Sequence, residues 1–304
     1  VNTATKLVAY TAGLAAIFAA ALGVGATVGS PIDMSSTTHD SHTAPVSDAA
    51  TAAPAGLQVS DEGYTLTEIS APSTANSPGT LRFRITGPAG EPVTAFTDQH
   101  EKPLHLIVVR TDTTGFRHVH PTMDPDGTWS IDWTWPTGGT YRVFADFQPA
   151  GGPALTLGRN VDVAGTVTPA ATPPTSRTTE VDGYRVDLTG DLTTTGGPLT
   201  LTVSRDGKPV TDLQPYLGAY GHLVALRTGD LAYLHVHPEG EPGDGTTAPG
   251  PDIVFHSQAP SGGTYRLFLD FRHEDTVRTA EFTVDAATDS TTPAAPAAPA
   301  GHGH

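Results

Sequence analysis

Residues 138–147 read GGTYRVFADF, and residues 262–271 read GGTYRLFLDF. Eight of the ten positions are identical, and both words alternate in the manner of a β-strand. Working outward from them, further words recur in the same order. The first set is GY at Gly63, TLRFRI at Thr80, PVT at Pro92, HLIVVR at His105 and HVHP at His118. The second is GY at Gly183, PLTLTV at Pro198, PVT at Pro209, HLVALR at His222 and HVHP at His235. From Pro92 to His105 and from His105 to His118 is 13 residues each, as from Pro209 to His222 and from His222 to His235. Only the stretch between HVHP and GGTY differs, being seven residues longer in the second set at EGEPGDGTTAPG. The chain therefore carries an internal repeat.

Each repeat spans about a hundred residues of short alternating stretches punctuated by Gly, Pro, Asn and Asp, which predicts a small all-β sandwich. In the first, strands are expected near 64–70, 80–86, 104–110, 116–120, 128–135, 140–147 and 154–163. Seven short strands suggest an immunoglobulin-like sandwich without the cysteine framework of antibody domains. The predicted fold is all-β: two tandem immunoglobulin-like sandwiches after an N-terminal transmembrane helix. The expected divisions are an anchor or signal at 1–29, a stalk at 30–56, the first sandwich at 57–165, a Pro/Thr linker at 166–179, the second sandwich at 180–285 and an Ala/Pro tail ending in GHGH at 286–304.

The 304 residues include 32 Asp and Glu against 16 Lys and Arg, a net charge of −16, and no cysteine. The acidity argues against nucleic-acid binding, which needs a basic face. The missing cysteine excludes disulfides, thiolate zinc sites, Fe–S clusters and thiol nucleophiles. The sequence holds no G-x-S-x-G, H-E-x-x-H, P-loop or G-x-G-x-x-G, so no enzyme is expected.

Residues 7–28 form an uncharged run of 22. A helix of that length rises about 33 Å, enough for a hydrocarbon core of about 30 Å. Lys6 is the only Lys or Arg before Arg82, which places the N-terminus inside and the rest outside the cell membrane. The alternative is a cleaved signal peptide and a secreted protein.

Thirteen His are present, and six recur: His105, His118 and His120 in the first repeat, His222, His235 and His237 in the second. Residues two apart on a strand share a face, so His118 and His120 point together, as do His235 and His237. A hairpin centred near Thr113 brings His105 to the strand end that carries His120, and the second repeat does the same with His222 and His237. Three imidazoles suit Cu(II) or Zn(II). Asp146 and Asp270, flanked by apolar residues in the last repeated word, are the expected fourth ligands, with Arg142 and Arg266 as their other candidate partners. Met123 could add a thioether in the first repeat only. The competing reading is that the repeated His hydrogen-bond loop carbonyls and brace a corner. His39, His42, His302 and His304 read as ordinary residues of polar segments, and His100, His256 and His273 receive no role.

The words HLIVVRTDTTGFRHVHP and GGTYRVFADFQPAGG, with LGAYGHLVALR and LAYLHVHP, resemble bacterial extracytoplasmic heavy-metal-binding or copper-handling proteins, found mainly in actinobacteria. The resemblance covers both repeats and implies a metal-handling role. The chain departs from Cu(I) chaperones in having only two Met, and from blue-copper sites in lacking Cys. The expectation is a membrane-anchored scavenger, buffer or carrier of Cu(II) or Zn(II). Its partners would be the metal ion, the membrane and an envelope or metal-transport protein. The alternative is an envelope interaction module whose His only brace loops.

Overall fold

A computed structural model describes residues 53–287. The expected anchor, most of the stalk, and the tail with His302 and His304 lie outside the described residues. The alternating words fold as strands because each puts one apolar row inward. On Gly79–Thr86, Leu81, Phe83 and Ile85 are buried while Arg82 and Arg84 face solvent. The first copy contains β1 (Ser60–Asp61), β2 (Tyr64–Leu66), β3 (Gly79–Thr86), β4 (Leu104–Arg110), β5 (Arg117–Val119), β6 (Thr122–Met123), β7 (Thr128–Trp133), β8 (Gly139–Phe147) and β9 (Leu155–Val163). The second contains β10 (Thr178–Val181), β11 (Tyr184–Thr189), β12 (Gly197–Arg205), β13 (Lys208–Pro209), β14 (Gly221–Arg227), β15 (Tyr233–His235), β16 (His237–Pro238), β17 (Asp252–Ser257), β18 (Gly263–His273) and β19 (Thr276–Ala286). No helix among the described residues is long and apolar enough to cross a membrane.

Each copy is a two-sheet sandwich. In the first, β1-β2-β3-β7-β6 pack against β5-β4-β8-β9. In the second, β10-β11-β12-β17-β16, with β13 beside β12, pack against β15-β14-β18-β19. The cores are separate. One gathers Phe83, Trp129, Trp135, Tyr141 and Phe147, and the other Tyr184, Phe255, Tyr265, Phe271 and Phe282. The sequence expectation of 64–70 as one strand is shortened: β2 stops at Leu66, and Ser70 makes an isolated bridge to Arg82.

A third apolar cluster joins the copies. All seven residues of β4 are buried. Leu104, Leu106 and Val108 enter the first core, whereas Ile107 and Val109 turn to the opposite face. There they meet Phe144 of β8, and Val224, Leu226, Leu231, Tyr233 and Phe268 of the second copy. Phe116 and Phe268 stack with ring centroids 4.0 Å apart and planes within 4°. The four-stranded sheets therefore face each other, each covered on both sides. Gly56 enters this seam at φ +75°, where a Cβ would lie 2.7 Å from the Phe144 ring and 2.9 Å from Cβ of Tyr233. Only glycine fits that approach.

The linker is tied to the first copy. Arg110 donates to the carbonyl of Thr168 at 3.0 Å, and the amide of Ala170 donates to Asp112 at 2.9 Å. If the seam holds the copies together, Phe268→Ala should destabilise the protein by about 3–5 kcal/mol, the usual cost of deleting a buried Phe. Phe268 contributes to neither sandwich core, so chemical denaturation should show the loss as two separated transitions in place of one.

Candidate metal centre

The repeated words put their polar residues on the seam face. On β4 and β8, His105 and Asp146 lie directly opposite each other. On β14 and β18, His222 and Asp270 do the same. All four are at most 7 % exposed. The hairpin register sets Ile107 opposite His118, which carries His105 level with His120. In the second copy Val224 lies opposite His235, so the expected register recurs.

Three imidazoles converge at one end of the first hairpin. His105 Nδ1 lies 2.9 Å from His118 Nε2 and 3.1 Å from His120 Nε2. One nitrogen from each of these three lies within 4.8 Å of the others, a set that could hold a metal ion. The outer nitrogens of two rings are engaged. His105 donates from Nε2 to the carbonyl of Gln99 at 2.8 Å, and His118 donates from Nδ1 to Asp270 Oδ2 at 2.9 Å. In the neutral rings those bonds fix the tautomers, leaving the lone pairs on His105 Nδ1 and His118 Nε2. Those two lone pairs lie close together, and His120 Nε2 stands beside the first of them.

His105 and His222 use the same anchor. His222 donates from Nε2 to the carbonyl of Tyr216 at 2.8 Å, the residue that aligns with Gln99. The His222 ring lies 5.1 Å from that of His100 and 6.3 Å from that of His118. The first copy's triad and the second copy's first repeated His thus share one cluster. The side chains of His235 and His237 lie outside the described residues.

Of the two partners expected for the aspartates, the His cluster and the arginines, Asp270 meets the first in His118. Neither aspartate meets the arginine four residues before it. Arg142 bonds Gly56 and Asn160, and Arg266 bonds Phe282, Thr283 and Glu281. Asp146 accepts from Thr156 at 3.1 Å and, across the seam, from the hydroxyl of Tyr233 at 3.3 Å. Asp270 accepts from Thr279 at 2.6 Å and from His118 of the other copy. Asp270 therefore holds a triad histidine of the opposite copy. Met123 packs against the first core. His100, given no role from sequence, lies 6.2 Å ring to ring from His105. It aligns with Leu217, and both adopt left-handed backbone, φ 48° and 55°. The position keeps its backbone but not its residue type, so the repeat gave no sign of it.

Burial sets the electrostatics. It pushes the His105 pKa down to about 4, with His118 adding to the effect. Burial, then the neighbouring His118 and His105, brings His120 down to about 3. Burial, with His100 and His118 nearby, brings His222 to about 3. A cavity of about 20 Å³, room for roughly one water, is lined by His100, His105, His118, Asp146, His222 and Tyr233 among others.

These imidazoles are neutral when folded, whereas the unfolded chain protonates near 6.5. Below that value the unfolded state binds more protons, so stability falls as pH drops. The metal-free protein should hold a constant melting temperature above about pH 6.5 and lose it steadily towards pH 4. His222→Gln should flatten that slope.

A family described as "Domain of unknown function (DUF8832)" matches residues 58–165 and again residues 179–288. No curated protein matches the sequence. Among solved structures, similarity extends to a fragment of titin, 12 % identical over 74 % of this chain and 98 % of that one, with a TM-score of 0.20. Domains 5–6 of the S-layer protein SbsC are 11 % identical over 75 % of this chain and all of theirs, at 0.21. A structure described as "Putative membrane anchored protein from Corynebacterium diphtheriae" is 10 % identical over 75 % of this chain and 59 % of its own, at 0.23.

Proposed function

The chain belongs to this family of domains of unknown function, DUF8832, and from its own residues we propose that it binds Cu(II) or Zn(II) outside the cell, as a scavenger, buffer or carrier. The observation that carries the reading is the meeting of His105 Nδ1 and His118 Nε2 at 2.9 Å, with His120 Nε2 at 3.1 Å. A metal ion would take one nitrogen lone pair from each of the three rings. Donors bound at about 2.0–2.1 Å are about 2.9 Å apart at a right angle and about 3.4 Å apart at the tetrahedral angle. The separations of 2.9 and 3.1 Å are near the right-angle value of tetragonal Cu(II), and Zn(II) needs them to open by a few tenths of an ångström.

The small cavity beside the triad supports holding rather than catalysis, since about 20 Å³ admits a water but no substrate. The uncharged run at 7–28 supports attachment to the cell membrane with the β domains outside, or secretion if it is cleaved. The net charge of −16 would concentrate cations near the site. An envelope or metal-transport protein is the natural partner for delivery.

One observation favours the second reading, an envelope interaction module. His105 and His222 brace equivalent loop carbonyls, those of Gln99 and Tyr216. That bond uses Nε2 and leaves Nδ1 for a metal, so titration separates the readings. In a full chain with His39, His42, His302 and His304 replaced by Ala, calorimetry should show sub-micromolar Cu(II) or Zn(II) uptake. His118→Ala/His120→Ala should lose it by at least about a hundredfold, in line with the loss of two of three ligands. Absence of uptake by the parent would leave the bracing role alone.

A further inference from the structure

The first copy's triad is completed by the second copy. His118 reaches Asp270 across the seam at 2.9 Å, and both side chains are almost fully buried, 5 % and 6 % exposed. Asp270 is itself fixed. It sits on β18 opposite His222 of β14 and Thr279 of β19, and Thr279 donates to its Oδ1 at 2.6 Å. That leaves Oδ2 aimed at His118 Nδ1. A histidine ligand held by a carboxylate on its other nitrogen keeps one tautomer and one ring orientation, and its basicity rises. Here that carboxylate belongs to another sandwich, about 150 residues away in sequence, and it reaches the ring only while the copies are docked.

We infer that Asp270 is the positioning residue of the metal site, so that metal affinity is a property of the docked pair of sandwiches and not of the first copy alone. This rests on the metal reading above. The linkage is reciprocal: whatever loosens the seam weakens the site, and an ion in the site tightens the seam. Phe116 lies two residues before His118, and Phe268 two before Asp270. The stack between them holds together the two strands that carry the bonded pair.

The test uses the full chain and Zn(II), scoring only the uptake that His118→Ala abolishes. Asp270→Ala removes the acceptor and should weaken that uptake about 10–100-fold. Asp270→Asn keeps an acceptor oxygen without the charge and should fall between the variant and the parent. Nitrogen NMR of the metal-free protein supplies a readout independent of metal. His118 should be the Nδ1–H tautomer in the parent and in Asp270→Asn, and a mixture in Asp270→Ala. Affinity within twofold of the parent in Asp270→Ala would overturn the inference. If that variant does not fold, parent-like affinity in Asp270→Asn would overturn it. A parent without His118-dependent uptake fails at the first step, which overturns the metal reading and this inference together. A normal parent with indifferent variants overturns this inference alone.

Discussion

The fold rests on the burial of one strand face that a lone sandwich would leave in water. On β4 the odd-numbered residues Ile107 and Val109 point away from the first core, and on β14 Val224 and Leu226 point away from the second. Neither row can be satisfied within its own copy. Packed together with Phe116, Phe144, Tyr233 and Phe268 they become a third core. Apolar area taken from water is worth about 25 cal/mol per Å². The two GGTY words thus do two things at once. Their odd-numbered row in the first copy builds a sandwich, and their even-numbered row builds the seam.

That seam explains where the polar residues go. A dry interface normally excludes histidine and aspartate unless each has a partner. Here the partners come from the other copy. Asp270 takes His118, and Asp146 takes the hydroxyl of Tyr233. The duplicated residues are therefore crossed rather than self-contained. Each copy carries a carboxylate whose partner across the seam lies in its sister.

Much of this was legible in the sequence, because the repeat words carry the strands. The spacing of His105, His118 and His120 was enough to place them at one hairpin end, since strand geometry leaves little freedom. The sequence of one copy could not say that Asp146 and Asp270 would face the opposite copy. Their period-2 alternation reports a face, not what covers it. The burial of all seven residues of β4 was the available clue: HLIVVR and HLVALR are apolar on both faces after the first His, which a one-sided strand would not be. His100 had no signal at all, because its counterpart is Leu217 and only the backbone conformation is shared.

The chemistry of the seam follows from the same burial. Carboxylates gathered in such a place would repel one another and take up protons, and lysines would lose theirs. Imidazole tolerates the site because its neutral form carries both a donor and an acceptor. Gln99 and Asp270 take the donors of His105 and His118. What is left is the inward pair of acceptors, His105 Nδ1 and His118 Nε2, with His120 Nε2 beside the first. A cysteine-free protein has no thiolate to place there. The three imidazole nitrogens at that end of the hairpin could hold a metal ion.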